Sequence, residues 1–371
     1  MTKYVANIAD LFAFDGKVVD AKPFGSGHIN ETILLTTDKG TKFILQKINT
    51  NVFTNPQALM KNVFRVSEFL KKRLKEAGRD PNREALTFVK TVDGQLCLHD
   101  KNCSWRAYRF HDELIALDTC RNANDFYESG KAFGRFQALL DNYPANTLYE
   151  TIPDFHDTPV RYAQLHDAIE KNVAGRLESV KEEVDFALAR EKDASIIMDL
   201  QANGTLPLRV THNDAKLNNV LLDPETGEGV CVIDLDTIMP GQAIFDFGDS
   251  IRFGASTAAE DEKDLSKVEL DLDLFDAYTK GFLEGCNNVL TDVEKDLLPT
   301  GAWMMTLECG IRFLADYLNG DTYFKIHYPE QNLDRARTQL KLMEDMEKKL
   351  PQIRAILQKI YDDKGLNANV I

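Results

Sequence analysis

Between residues 17 and 110, apolar and polar positions alternate in short runs bounded by turn residues: KVVDAKPF, HINETILLTT, KFILQKIN, EALTFVKT and CSWRAYRF. Such period-two runs predict a meander of strands, with DKGT as the turn between the second and third. One segment, residues 56–78, breaks the alternation. Its apolar residues Leu59, Val63, Val66, Phe69, Leu70 and Leu74 recur at helical spacing and Gly78 stands where a C-cap belongs. After residue 111 the helical period dominates, as in Phe126, Phe133, Phe136, Leu139 and Leu140 and again over residues 340–360. A strand pair, NNVLLD and GVCVID, interrupts it, joined by the turn-rich DPETGEG. The pattern predicts an α+β chain in two parts: a sheet-rich lobe with one helix over residues 1–110 and a mainly helical lobe over residues 111–371. At 371 residues the chain also exceeds what one hydrophobic core organises.

Charge narrows the partners. Lys and Arg number 44 against 59 Asp and Glu, a formal net charge of -15 that repels nucleic-acid backbones and anionic membrane surfaces. A small phosphorylated ligand is still admissible, because a bound cation and nearby backbone N–H groups outweigh a distant field screened by salt. No run approaches the roughly 18 apolar residues of a membrane span. The six cysteines include no CxxC pair, so free thiols and a cytoplasmic setting are expected.

The densest chemical signal is THNDAKLNN at residues 211–219, which has the order H-x-D-x-K-x-x-N ahead of a strand. Such a loop suits phosphoryl transfer: Asp214 faces the acceptor hydroxyl and takes its proton late, and Asn219 offers an oxygen to Mg²⁺. Lys216 is placed to neutralise charge on the transferred group, and His212 to brace the loop. Twenty residues after Asp214 the next strand ends in Asp234-Leu235-Asp236. Asp234 is then the second hard oxygen ligand for Mg²⁺, with Asp236 either a further ligand or a structural acceptor. The literal Asp246-Phe247-Gly248 lies downstream of a Pro-Gly turn rather than at that strand end, and reads as structural, with Asp246 capping a helix or bonding N–H groups of the 211–219 loop. Phe24-Gly25-Ser26-Gly27-His28 is a turn between strands in which Gly25, Ser26 and Gly27 leave backbone N–H groups open to phosphates. A tight hairpin explains the same residues equally well. No G-x-x-x-x-G-K-[ST] is present, which excludes a P-loop enzyme. Arg312 and Asp316, at i and i+4 on a helical stretch, have an intrahelical ion pair as their simplest reading.

In these residues the chain resembles the aminoglycoside phosphotransferase and choline kinase family. The similarity extends through GHIN at 27–30, FILQKIN at 43–49, IDLDTIMPG at 233–241, FDFGDSIRFGAS at 245–256 and ECGIRFLADYLNGDTYF at 308–324, the last pointing to its N-acetylhexosamine 1-kinase branch. The resemblance implies a bilobal protein-kinase-like fold with an N-terminal antiparallel sheet lobe and ATP with Mg²⁺ as cofactors. It further implies transfer of a phosphoryl group to the anomeric hydroxyl of an N-acetylhexosamine, giving the α-1-phosphate. By the same resemblance Asp214 is the catalytic base, Asn219 and Asp234 hold the metal, and His28, Arg312 and Tyr323 contact the sugar; Asn213, which the resemblance does not supply, is a further candidate donor to the sugar. Two positions depart from the family pattern. Asn213 stands where Gly commonly precedes the catalytic Asp. The strand cation that pairs ATP phosphates falls at Gln46, leaving Lys47 on the opposite face unless a bulge turns it inward. Kinases of other small acceptors, and a catalytically silent nucleotide-binding module, remain as alternatives.

Overall fold

The computed structural model describes residues 2–25, 29–100 and 103–365. The chain divides into two compact units, neither continuous in sequence: Met1–Leu117 with Asn142–Pro153 and Asn219–Pro240, and Asp118–Asp141 with Asp154–Asn218 and Gly241–Ile371.

In the first unit, strands β1 (Val18–Pro23), β2 (Glu31–Thr37), β3 (Lys42–Ile48), β4 (Phe88–Val89), β5 (Leu98–Asp100) and β6 (Cys103–Arg109) form an antiparallel sheet in the order β1-β2-β3-β6-β4, with β5 also on β6. Alternation sorts its faces. Ile33, Leu35, Phe43, Leu45, Trp105 and Ala107 share one core cluster with Ile8, Ala9 and Phe12 from the N-terminal segment, so Gln46 and Arg106 belong to the other face. The helix Pro56–Glu76 begins at Asn55, whose side chain accepts from Ala58 N–H. It ends as the spacing predicts: Gly78 has a positive φ of 71°, and Arg79 N–H closes back on Leu74 O at 2.9 Å.

One buried side chain bonds to both later segments of this unit. Asn62, on the 56–76 helix, donates to Tyr149 O at 2.7 Å and Ile238 O at 3.1 Å and accepts from Tyr149 N–H at 2.9 Å. The hairpin expected from NNVLLD and GVCVID forms as strands Val220–Leu222 and Gly229–Val232, with Ile115–Ala116 added at its edge.

The second unit is helical. Helix Leu298–Leu318 is buried along most of its length and packs with Thr158–Lys171, Ala243–Gly254 and Gln331–Lys348. A separate pair, Ala123–Leu140 and Leu272–Cys286, meets backbone to backbone. A Cβ added to Gly130, Gly134, Gly281 or Gly285 would lie within 2.5 Å of a carbonyl oxygen of the facing helix. Glycine is what allows the axes to approach so closely. No helix among the described residues is long and apolar enough to cross a membrane. The fold is thus α+β, an antiparallel sheet region followed by a helical part.

Candidate functional site

The residues singled out in the sequence divide between the units: Asp214, Lys216, Asn213, Arg312 and Tyr323 in the second, Gly25, Lys47, Asn219 and Asp234 in the first. Ser26, Gly27 and His28 lie outside the described residues.

The 211–218 loop is held from below. The Asp246 carboxylate, in the first turn of the 243–254 helix, accepts from His212 N–H at 2.9 Å, Asn213 N–H at 2.8 Å and the Gln137 amide at 2.9 Å. Burial pushes its acid up, and the charge of His212 and the two backbone bonds pull against that. The Asp-Phe-Gly triplet is therefore structural. Phe247 packs among Phe275, Tyr278 and Phe282, and Gly248 abuts Gly301. A second brace runs from Tyr278 Oη to Ser250 Oγ at 2.6 Å and from Ser250 to Ala215 O. His212, fully buried against the edges of Phe133 and Phe136, accepts from Asp214 N–H at Nδ1, 3.3 Å away.

The departure at Asn213 has a backbone cause. Its φ is +62°, the left-handed region where a side chain costs about 1–2 kcal/mol and asparagine is among the residues that tolerate it. Its amide donates to Thr211 O at 3.3 Å, so the side chain turns back on its own loop. Asp214 follows, partly exposed, with Lys216 Nζ at 2.9 Å from its Oδ1.

Beside this loop lie the 298–318 helix and the turn after it, which together carry the 308–324 segment. His156, which the sequence reading passed over, lies 2.8 Å from Glu308 Oε1 through Nδ1 and 3.4 Å from Asn213 O through Nε2. Thr158 donates to the other Glu308 oxygen at 3.0 Å. Burial alone would raise the Glu308 carboxyl; His156, Arg312 and Arg161 together hold it below the usual glutamate range. The expected Arg312–Asp316 ion pair does not form. Asp316 instead accepts from the backbone N–H groups of Thr322, Tyr323 and Phe324 and from Asn332, at 2.8 to 2.9 Å, because the chain folds back over it after the helix. Arg312 is left among three rings, with its guanidinium carbon 5.4 Å from the Phe155 centroid, 5.5 Å from Phe324 and 6.0 Å from Tyr323. Arg161 is near enough to feel its charge: burial first, then Arg312, lowers its pKa.

In the first unit the candidate metal ligands are adjacent by register. Val220 pairs with Val232, and one step further Ile233 N–H donates to Asn219 O at 2.9 Å. Asp234 comes next, exposed and with a φ of +59°, ahead of the buried turn Leu235–Thr237. A non-glycine residue in that region marks a conformation imposed by its surroundings. Asp236 is an acceptor already in use, bonded by Arg106 and, at 2.6 Å, by Asn30. On β3 the register with β2 runs unbroken. Without a bulge Lys47 stays on the face of Phe43 and Leu45, and Gln46 occupies the other. Gly25 is exposed with a φ of +78°.

Comparison with known proteins gives this arrangement a lineage. The aminopropanol kinase associated with a microcompartment has a similar structure at 15% identity and a TM-score of 0.57, with 94% of this chain and 98% of that one covered. Spectinomycin phosphotransferase in complex with ADP and spectinomycin follows at 13% identity, 94% and 99% coverage and a TM-score of 0.59. Amicoumacin kinase in complex with AMP-PNP, Ca²⁺ and Ami is similar at 14%, 94% and 93%, with a TM-score of 0.57. Likeness at such identities is one of fold. The sequence itself carries the stronger statement, since the pattern of the phosphotransferase enzyme family matches residues 20–279. That span runs from the first strand of the sheet through the 211–219 loop, the Asp234 turn and the helix that holds Asp246, and on it the chain belongs to the phosphotransferase enzyme family.

Proposed function

We propose that the protein uses ATP and Mg²⁺ to phosphorylate the anomeric hydroxyl of an N-acetylhexosamine, N-acetylglucosamine or N-acetylgalactosamine, yielding the α-1-phosphate. The observation that carries the choice of acceptor is Arg312. Among the described residues its guanidinium makes no ion pair, it stands between aromatic rings, and the two acids beside it, Glu308 and Asp316, are occupied by internal hydrogen bonds. A second guanidinium, Arg161, adds positive charge. Such a surface disfavours an ammonium-bearing acceptor, such as an amino alcohol or an aminoglycoside, and suits a neutral polyol whose ring oxygens accept from a planar donor fork.

In this reading Asp214 orients the hydroxyl and accepts its proton late, a role helped by the greater acidity of an anomeric hydroxyl over an ordinary alcohol. Lys216 steadies the charge of the transferred group. The roles assigned on the family resemblance and the turn sequence are acceptor binding for Tyr323 and His28, with Asn213 as a further acceptor candidate, and phosphate binding through backbone N–H groups for Gly25, Ser26 and Gly27. The Asn219 amide and the Asp234 carboxylate form an all-oxygen donor pair of the kind a hard cation prefers. A Mg²⁺ held by two such protein oxygens would keep waters and phosphate oxygens for its remaining positions. The chemistry a bound Mg²⁺ supplies is neutralisation of charge on the β- and γ-phosphate oxygens.

The test is an acceptor screen with ATP and Mg²⁺ followed by phosphorus NMR of the product. N-acetylglucosamine or N-acetylgalactosamine should release ADP and carry the new phosphate on the anomeric carbon. Turnover confined to ethanolamine, choline or an aminoglycoside would replace the sugar reading, and a 6-phosphate would overturn the regiochemistry. Calorimetric binding of Mg²⁺-ATP with no turnover on any acceptor would leave a silent nucleotide-binding module. Arg312→Met should raise the KM for the sugar about 10- to 100-fold, with the KM for ATP unchanged, as for loss of a charge-assisted hydrogen bond.

A further inference from the structure

Arg106 is a charge buried to 3% exposure in the middle of β6, with no part in the proposed phosphoryl transfer. It stands directly opposite Gln46 in the β3–β6 ladder, so both side chains project from the same face of the sheet. Gln46 Oε1 accepts from Arg106 Nε at 3.0 Å and from Nη2 at 2.7 Å, while the Gln46 amide donates to Thr32 Oγ1 at 3.0 Å. The guanidinium fork is thereby fixed in orientation. Its Nη1 reaches Asp236, whose other oxygen takes Asn30 Nδ2, and Asn30 Oδ1 in turn accepts from Asn49 N–H at 3.0 Å. Every polar group in this row is bonded to the next, running from β2 through β3 and β6 to the turn that follows Asp234.

That row answers the departure at Gln46. A cation is present on that face of the sheet, one strand over, and the residue at the usual strand position has become its neutral holder. Burial opposes the charge, but Asp236, with Asp234 beyond it, holds the guanidinium above its ordinary pKa. Asp236 belongs to the buried turn Leu235–Thr237, and Asp234 is the residue that enters it in a left-handed conformation. A group that grips Asp236 therefore sets where the Asp234 backbone turns and where its exposed carboxylate points. Outer partners of this kind orient metal-binding side chains in many proteins.

We propose that Arg106 is a positioning residue for metal-nucleotide binding: through Asp236 it fixes the 234–237 turn and so aims the Asp234 carboxylate. The proposal rests on the reading of Asp234 as a metal ligand. It requires that loss of Arg106 be felt by the metal complex of the nucleotide and not by the nucleotide alone.

Calorimetry on the full chain, without acceptor, tests this using Mn²⁺-ATP and, separately, ATP in excess EDTA. Arg106→Met should weaken Mn²⁺-ATP binding about 10- to 100-fold and leave metal-free ATP unchanged. Arg106→Lys, which keeps the charge but not the fork, should fall between. Asp236→Asn should reproduce the split, and it carries the test if Arg106→Met does not fold. Equal weakening with and without metal would mean that the guanidinium meets the phosphates itself, and would overturn the proposal; so would wild-type binding of Mn²⁺-ATP by Arg106→Met and Asp236→Asn. Asp234→Asn separates the premise from the inference. If it binds Mn²⁺-ATP like the wild type, the metal reading of Asp234 fails; if it alone loses the complex, that reading stands and Arg106 has no part in it.

Discussion

Asp214→Asn should lower kcat by about 10²- to 10⁴-fold, the range for removing a positioned general base. The substitution is nearly isosteric, so the His212 ring that accepts from residue 214 N–H and the Asp246 bonds to residues 212 and 213 keep the loop in place. It removes the negative partner of Lys216 and, on the proposed mechanism, the group that accepts the proton. Nucleotide affinity should stay within about twofold, since an interaction made only in the transition state affects kcat and kcat/KM alike. Steady-state kinetics with the best acceptor, beside calorimetry with Mg²⁺-ATP, measure both quantities. Turnover retained at the wild-type level would remove Asp214 from the chemistry.

The second large effect is expected where no substrate is touched. In Asp246→Asn one acceptor oxygen becomes an N–H donor facing another donor. Either the bond from Asn213 N–H is lost, or those from His212 N–H and Gln137 are. An unsatisfied buried N–H costs about 1–3 kcal/mol, so a loss of about 2–4 kcal/mol is expected, a large part of the stability of an ordinary domain. The unfolding midpoint in urea should fall accordingly, and kcat should fall with it because the loop beneath Asp214 loses its support. An unchanged midpoint would show that the three bonds to Asp246 do not hold the loop.

Much of this was legible in the sequence, for reasons that differ from residue to residue. The alternation over 31–37 and 42–48 specified a hairpin and its faces, because one face is buried and a slip by one residue would invert both. The same alternation placed Lys47 opposite Gln46. The structural role of Asp246 followed from its distance from the strand end. By contrast, Arg106 and Asp236 are 130 residues apart, and nothing in CSWRAYRF distinguishes a buried arginine from one at a strand edge. The one hint was the family resemblance, which puts a strand cation where Gln46 stands and says nothing of residue 106. His156 escaped notice for a similar reason: its partner Glu308 is 152 residues away and no local motif surrounds it. Arg312 and Asp316 have the spacing of an ion pair, yet local spacing loses to geometry when a returning chain brings three backbone N–H groups to one carboxylate.

The glycine seam between the 123–140 and 272–286 helices bears on how mutational data for this chain should be interpreted. Its four positions carry information about backbone spacing and none about side-chain chemistry, so in a saturation scan they would stand out as intolerant sites spaced by four in each helix. An investigator ranking residues by intolerance alone would place them beside Asp214. Activity per folded molecule separates the two classes, since a methyl group forced into the seam depletes the protein, whereas a lesion at the loop leaves the protein abundant and idle.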